Sequence, residues 1–205
     1  VKLNAKIVPF AGYKMPVTYE KISDEYKSVR KKCGMFDVSH MGQIQIEGKD
    51  SLDFLQLLTV NDITKIGNFE AQYSAMCNLD SGIIDDLIVF KFSNFKFLII
   101  VNASNTNTIL DWLNQYKKDF EININFMNKS HSLIALQGPK SREILNSITK
   151  DPITISFYNF LETTLFDSSV IITRTGYTGE LGFEISAEHK IIKKIWDYFI
   201  DLDVS

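Results

Sequence analysis

Two carboxylates stand side by side in the run Ile83-Ile-Asp85-Asp86-Leu-Ile-Val-Phe-Lys-Phe92. A carboxylate accepts protons and stabilises developing positive charge, so an acid fixed in a cleft is a candidate for either task. The flanking residues are β-branched or aromatic, the make-up of a strand. Side chains alternate along a strand, so Asp85 and Asp86 point to opposite faces, and at least one of them points toward a buried face. An unpaired carboxylate is costly to bury, so a buried one has a partner or a task. From spacing alone a solvated hairpin acid is the commoner case, and both readings stand.

A second candidate is Arg174-Thr-Gly-Tyr-Thr-Gly-Glu-Leu-Gly-Phe-Glu-Ile185. Its glycines let backbone approach a ligand closely, and Tyr177 offers a stacking ring with a hydroxyl. Glu184, between Phe183 and Ile185 in a strand, faces the side opposite those apolar groups. A carboxylate held there accepts two parallel N–H bonds from a heterocycle with an amino-amidine edge. A Gly-rich hairpin with solvated acids is the commoner alternative. The glycines fit neither a dinucleotide nor a phosphate-binding fingerprint. His40, His131 and His189 are each isolated from cysteine and from one another, which argues against metal ligation. No G-x-S-x-G elbow supports serine hydrolysis. Phe10-Ala-Gly-Tyr13 and Met35-Phe36 read as core or pocket wall, with core the default.

These residues need elements to hold them. Val1 to Tyr19 reads as loop, broken by Pro9, Gly12 and Pro16. A helix is expected over Ile22 to Lys32, with Ser23 as a possible cap and Gly34 as a left-handed stop. Met35 to Met41 runs into a strand over Gln43 to Glu47. Asp50 then caps a helix through Thr59, with Leu52, Leu55 and Leu58 along one face. The paired acids lie in a strand–turn–strand unit from Tyr73 to Phe92, with Asp80-Ser-Gly82 as its turn. Further strands are expected at Lys96 to Asn102 and Ile122 to Phe126, with a helix over Asn105 to Lys117 between them. The second half reads as a strand over Ser132 to Gln137 and a helix with Pro139 in its first turn. Strands at Thr163 to Phe166, Val170 to Arg174 and Phe183 to Ser186 follow, then a helix from Glu188 to Phe199.

The two halves repeat. Gln45-Ile-Glu-Gly48-Lys-Asp-Ser51-Leu-Asp-Phe-Leu55 resembles Ala135-Leu-Gln-Gly138-Pro-Lys-Ser141-Arg-Glu-Ile-Leu145, residue for residue along the chain. The expected fold is therefore α+β: two related antiparallel-sheet and helix lobes, a ferredoxin-like duplication, over 35–128 and 129–205. With 205 residues, 45% of them hydrophobic, the chain can bury a sizeable core. A net charge of -3 gives no footprint for nucleic acid or anionic lipid. No apolar run is long enough for a membrane span. Cys33 and Cys77, without C-x-x-C spacing, fit reduced thiols of a cytosol-like compartment. The chain begins at Val1 and stops at Leu202-Asp-Val-Ser205, just after a helix-like pattern, so a piece of a longer protein, cut at both ends, is expected.

Several motifs run in one order along the chain: Phe10-Ala-Gly-Tyr-Lys-Met-Pro16, Gly34-Met-Phe-Asp-Val-Ser-His-Met41, Asn61-Asp62, Tyr73-Ser74, Gly82-Ile-Ile-Asp-Asp-Leu87, Val101-Asn102, Gln137-Gly-Pro139, Arg174-Thr-Gly-Tyr-Thr-Gly-Glu180 and Gly182-Phe-Glu-Ile185. Together they resemble the N-terminal, folate-binding portion of the glycine-cleavage aminomethyltransferase (T-protein) family. The resemblance implies transfer of a methylene unit from the aminomethyl-lipoyl H-protein to tetrahydrofolate, with release of ammonia. Tetrahydrofolate is then a co-substrate, no metal is needed, and the lipoylated H-protein is the partner. The setting implied is the cytoplasm, or the mitochondrial matrix in a eukaryote. Carried onto this chain, the family's key acid is Asp85 rather than Asp86. Glu184 grips the pterin edge, and Tyr177, Tyr73, Met41 and Asn102 line the folate site. The family continues into a Gly-Ala-Arg-Asp-type segment, whose arginine also binds folate, and then a small β-barrel; neither lies within these residues. Two rival readings are a related folate-dependent demethylase and a non-catalytic folate-binding protein of iron–sulfur assembly.

Overall fold

The structure, a computed structural model, describes residues 4–202 and Val204. It opens with strands β1 (Lys6–Phe10) and β2 (Tyr13–Thr18), helix α1 (Ile22–Lys31) and strand β3 (Gly34–Asp37). Next come β4 (Gly42–Gly48), α2 (Ser51–Leu58), β5 (Glu70–Cys77), β6 (Ile83–Ser93), β7 (Lys96–Val101), α3 (Thr106–Tyr116) and β8 (Ile122–Phe126). The remainder is β9 (His131–Gln137), α4 (Ser141–Asn146), β10 (Phe160–Leu165), β11 (Ser168–Thr173), β12 (Gly182–Glu188) and α5 (His189–Asp201).

Two sheets carry the repeat. Their strand orders are β5-β6-β7-β4-β8 and β10-β11-β12-β9-β3. Place by place, the three successive strands β5–β7 match β10–β12, and β4 matches β9. Strands β4 and β9 each run through a glycine turn into a short helix. In the first sheet β7 lies antiparallel to both β4 and β6, so β4–α2–β6 is a split unit of the ferredoxin-like kind with β5 added at the edge. The fifth place is filled differently in the two sheets. Strand β8 follows its sheet along the chain, whereas β3 precedes its sheet and pairs Gly34–Asp37 with Ile134–Gln137. This pairing draws the N-terminal residues into the second half. The compact units are accordingly Met41–His131 with Tyr158–Phe160, and the chain up to His40 with Ser132–Phe157 and the stretch from Leu161 onward, not 35–128 and 129–205.

The glycine turns explain part of the repeat. Gly48 and Gly138 adopt φ +147° and +130°, where side chains are strained. A Cβ at Gly48 would lie 2.1 Å from the Glu121 carbonyl oxygen, and one at Gly138 would lie 2.7 Å from those of Val29 and Lys32. Each unit has its own apolar core on the helix side of its sheet. One holds Ile44, Ile46, Phe54, Leu55, Val89 and Ile99; the other holds Leu136, Leu145, Ile172, Phe183, Ile185 and Phe199.

Several local expectations fail for identifiable reasons. The N-terminal stretch is a hairpin, closed by Ala11 and Gly12 at φ +46° and +83° as a two-residue turn demands. Pro9 and Pro16 are tolerated because every strand of a two-stranded ribbon has a free edge. Ser23 does not cap α1; the Glu25 carboxylate instead accepts from the N–H groups of Tyr19 and Glu20. Gly34 does not stop the helix but opens β3. Pro139 lies before α4 rather than in its first turn. Phe10 and Tyr13 are exposed rather than core, each in a T-shaped ring contact with His40. The β5–β6 turn uses Asn78, whose Oδ1 accepts from the N–H groups of Asp80 and Gly82, while Ser81 rather than Gly82 takes a positive φ.

Candidate functional site

Alternation along β6 sends Asp85 with Leu87 and Val89 to the helix side of the sheet, and Asp86 to the other face. Asp85 is 4% exposed, so the solvated reading fails for this acid. It lies where β7 ends and a short 3-10 turn, Ala103–Asn105, leads into α3. Its Oδ2 accepts the Asn102 backbone N–H at 2.8 Å, and its Oδ1 accepts the side-chain amides of Asn102 and Asn105 at 2.9 and 2.8 Å. Free N–H groups at the start of a helix favour an anion there, which is why a carboxylate can be buried at this end of the sheet. Gly42 admits the helix: a Cβ on it would lie 2.6 Å from both Thr106 Oγ1 and Val101 Cγ2.

The same Asn102 amide ties the two acids together, donating to Asp86 Oδ1 at 2.7 Å. Asp86 Oδ2 accepts the Tyr73 hydroxyl at 2.6 Å. Ala75 faces Asp86 and Tyr73 faces Ile88 in the β5–β6 ladder, so this bond runs along the cross-strand diagonal on the outer face. Met41, half-buried, precedes β4 where Gly42 pairs with Val101, so the register brings it level with Asn102. Four of the expected residues, Asp85, Tyr73, Met41 and Asn102, thus gather at one end of one sheet.

Glu184 and Tyr177 belong to the other unit. Glu184 turns away from the fully buried Phe183 and Ile185, as alternation requires, and pairs with Thr173 across the β11–β12 ladder. Its carboxylate accepts the Thr175 hydroxyl, and Thr175 Oγ1 lies 2.5 Å from Thr173 Oγ1. Burial pushes the Glu184 carboxyl above the usual range, while the Thr175 bond opposes the rise. Tyr177 is fully exposed. Two of the nearby glycines also accommodate a side chain of the same unit. Gly176 and Gly182 make room for the buried Gln137 side chain, since a Cβ at either would lie 2.2 Å from its Oε1. Among the described residues no three His, Cys, Asp or Glu side chains come together to hold a metal. None of the helices described is long and apolar enough to cross a membrane.

A family profile, the GCVT N-terminal domain, matches residues 1–203. The chain belongs to the GCVT N-terminal domain family. It is 44% identical to an aminomethyltransferase of Thermosipho melanesiensis, over all of this chain and 57% of the relative. It is 40% identical to an aminomethyltransferase of Thermotoga maritima, over 98% of this chain and 56% of the relative. Among solved structures, the glycine cleavage system aminomethyltransferase T of Bartonella henselae superposes with TM-score 0.92 at 31% identity, covering this whole chain and 56% of that one. A chain of the heterotetrameric sarcosine oxidase of Corynebacterium sp. U-96 shares the fold, with TM-score 0.60 at 15% identity over 87% of this chain and 89% of its own. This GCVT N-terminal domain thus spans little more than half the length of the curated relatives.

Sequence reasoning missed three residues. Asn105 holds Asp85, Thr175 holds Glu184, and Gln137 organises the glycine loop. The signal for Asn105 was its place, three residues after Asn102 and at a helix start. Gln137 and Thr175 lie in the Gln137-Gly-Pro139 and Arg174–Glu180 motifs, where nothing local signals the contacts they make.

Proposed function

We propose that this GCVT N-terminal domain is the folate-binding part of a tetrahydrofolate-dependent aminomethyltransferase of glycine cleavage. The observation that carries the proposal is the buried Asp85 carboxylate, fixed by three N–H donors. The relatives' names and the Bartonella structure support the same reading. In the proposed reaction the methylene carbon of an aminomethyl group on the lipoyl sulfur of the H-protein loses its bonds to sulfur and to nitrogen. It gains bonds to two folate nitrogens, and their protons leave on the carrier thiol and on ammonia. The products are 5,10-methylenetetrahydrofolate, dihydrolipoyl carrier and ammonia.

Positive charge develops on the methylene carbon as the C–S bond breaks. A carboxylate already locked in place stabilises such charge without reorganising. Asp85 meets that condition, and its remaining acceptor capacity is available to orient the attacking folate amine. Tyr73, Met41 and Asn102 line the folate site beside Asp85, and the bonds of Tyr73 and Asn102 to Asp86 hold that end of the sheet in place. Glu184 accepts the amino-amidine edge of the pterin, and Tyr177, unpacked in this chain, closes on the bound ring. Donated N–H bonds favour the charged carboxylate, so folate binding draws the Glu184 pKa back down. The reaction is set in the cytoplasm.

The experiment is product analysis with the intact protein, aminomethylated H-protein and tetrahydrofolate. Methylenetetrahydrofolate and free ammonia appear one for one, and only when both substrates are present. Redox-neutral transfer of an intact methyl group from a methylated donor, giving 5-methyltetrahydrofolate with no ammonia released and no need for the carrier, would replace this reading with a demethylase.

A further inference from the structure

One side chain at the end of β9 gathers almost the whole Arg174–Gly182 loop. Gln137 is 1% exposed. Its Nε2 donates to the carbonyl oxygens of Thr175 and Phe183 at 3.2 and 3.3 Å, and its Oε1 accepts the Thr178 hydroxyl at 2.9 Å. Gly176, at φ +154°, and Gly182 lie against the same amide, so neither position has room for a side chain. Beyond the amide, the Leu181 carbonyl takes the Gly138 N–H at 2.7 Å and the Ser141 hydroxyl at 3.1 Å. Both polar atoms of this one amide are engaged and two glycines pack against it, so the amide ties the loop at Thr175, Gly176, Thr178, Gly182 and Phe183. In the loop so tied Thr175 delivers its hydroxyl to Glu184, and Tyr177 projects between Gly176 and Thr178.

The repeat shows that this is a specialisation. The residue equivalent to Gln137 in the other unit is Glu47, which lies in a plain ladder between Lys96 and Asn123. Only the unit that carries Glu184 has a buried amide at this place.

We infer that Gln137 is a positioning residue for folate recognition, acting through the glycine loop to hold Thr175 against Glu184 and to aim Tyr177. The inference rests on the proposal that Glu184 takes the pterin edge. A buried glutamine could also serve stability alone, and the two roles differ in coupling. If Gln137 acts through Glu184, losses in tetrahydrofolate affinity from changing the two residues do not multiply.

The test is a double-mutant cycle in the intact protein, with tetrahydrofolate affinity read by calorimetry and folding checked by near-UV circular dichroism. Gln137→Met keeps the length of the side chain and removes its hydrogen bonds; it is expected to weaken binding about tenfold. Glu184→Ala weakens binding on its own, and the double variant binds no more weakly than the worse single one. Thr178→Val, which removes one bond to the same amide, loses about threefold and shows the same coupling; it decides the matter if Gln137→Met does not fold. Wild-type affinity in the folded Gln137 or Thr178 variant, or losses that multiply, overturns the inference while leaving the pterin reading intact. Unchanged affinity in Glu184→Ala overturns the pterin reading and the inference with it.

Discussion

Asp85→Ala removes the acceptor of three N–H groups at once: the Asn102 backbone N–H at 2.8 Å, the Asn102 amide at 2.9 Å and the Asn105 amide at 2.8 Å. The Asn102 amide keeps Asp86 Oδ1 at 2.7 Å, so two donors are stranded where the acid itself is 4% exposed. Each stranded donor costs about 1–3 kcal/mol, which puts the loss for two at about 2–6 kcal/mol. Asp85→Asn keeps one oxygen for the two side-chain amides and turns an NH2 group toward the Asn102 N–H. One donor is stranded, and the expected loss is about 1–3 kcal/mol. Urea unfolding followed by circular dichroism reads both. With a slope of about 2 kcal/mol/M, the midpoint falls by roughly 2 M for Ala and about half as much for Asn. A midpoint equal to wild type, or an Asn variant as unstable as the Ala variant, would refute the acceptor geometry.

Glu184→Gln separates burial cost from binding. Burial raises the native pKa of Glu184 above the ordinary 4.5, so its proton-linked stability is fully present below the unfolded value and is lost as pH rises through the raised native one. The Tm of wild type therefore falls relative to Glu184→Gln as the pH is raised from acid to neutral, whereas a constant Tm difference across that range would mean the carboxylate is not desolvated. Burial also pushes the Cys33 thiol up to about 12. Iodoacetamide at pH 8 should label the partly exposed Cys77 first and leave Cys33 unmodified until the protein unfolds. Equal labelling of both, read by peptide mass spectrometry, would contradict the burial.

What the sequence showed clearly were features set by period and local chemistry. Alternation placed Asp85 and Asp86 on opposite faces and turned Glu184 away from Phe183 and Ile185, and the structure keeps both. The glycine turns at Gly48 and Gly138 marked a repeat that survives as matching strand orders. The failures that matter for the sheets and the site involve partners distant in the chain. Nothing local says that β3 completes the second sheet, since that depends on Gly34–Asp37 meeting Ile134–Gln137 a hundred residues on. Which face of β6 is buried could not be read from period alone, because the donors that make burial of Asp85 tolerable come from Asn102 and Asn105. The packing role of Gly176 and Gly182 has no local signal, because the side chain they accommodate, Gln137, lies in a different strand.

The central claim is that the Asp85 carboxylate drives methylene transfer. Its most direct measurement is the rate with aminomethylated H-protein and tetrahydrofolate for the intact protein and its Asp85→Asn variant, at a temperature where both are folded. Loss of a fixed charge facing a developing cation predicts a rate about 10²–10³-fold lower, with tetrahydrofolate affinity little changed. Wild-type turnover by the folded variant would contradict it.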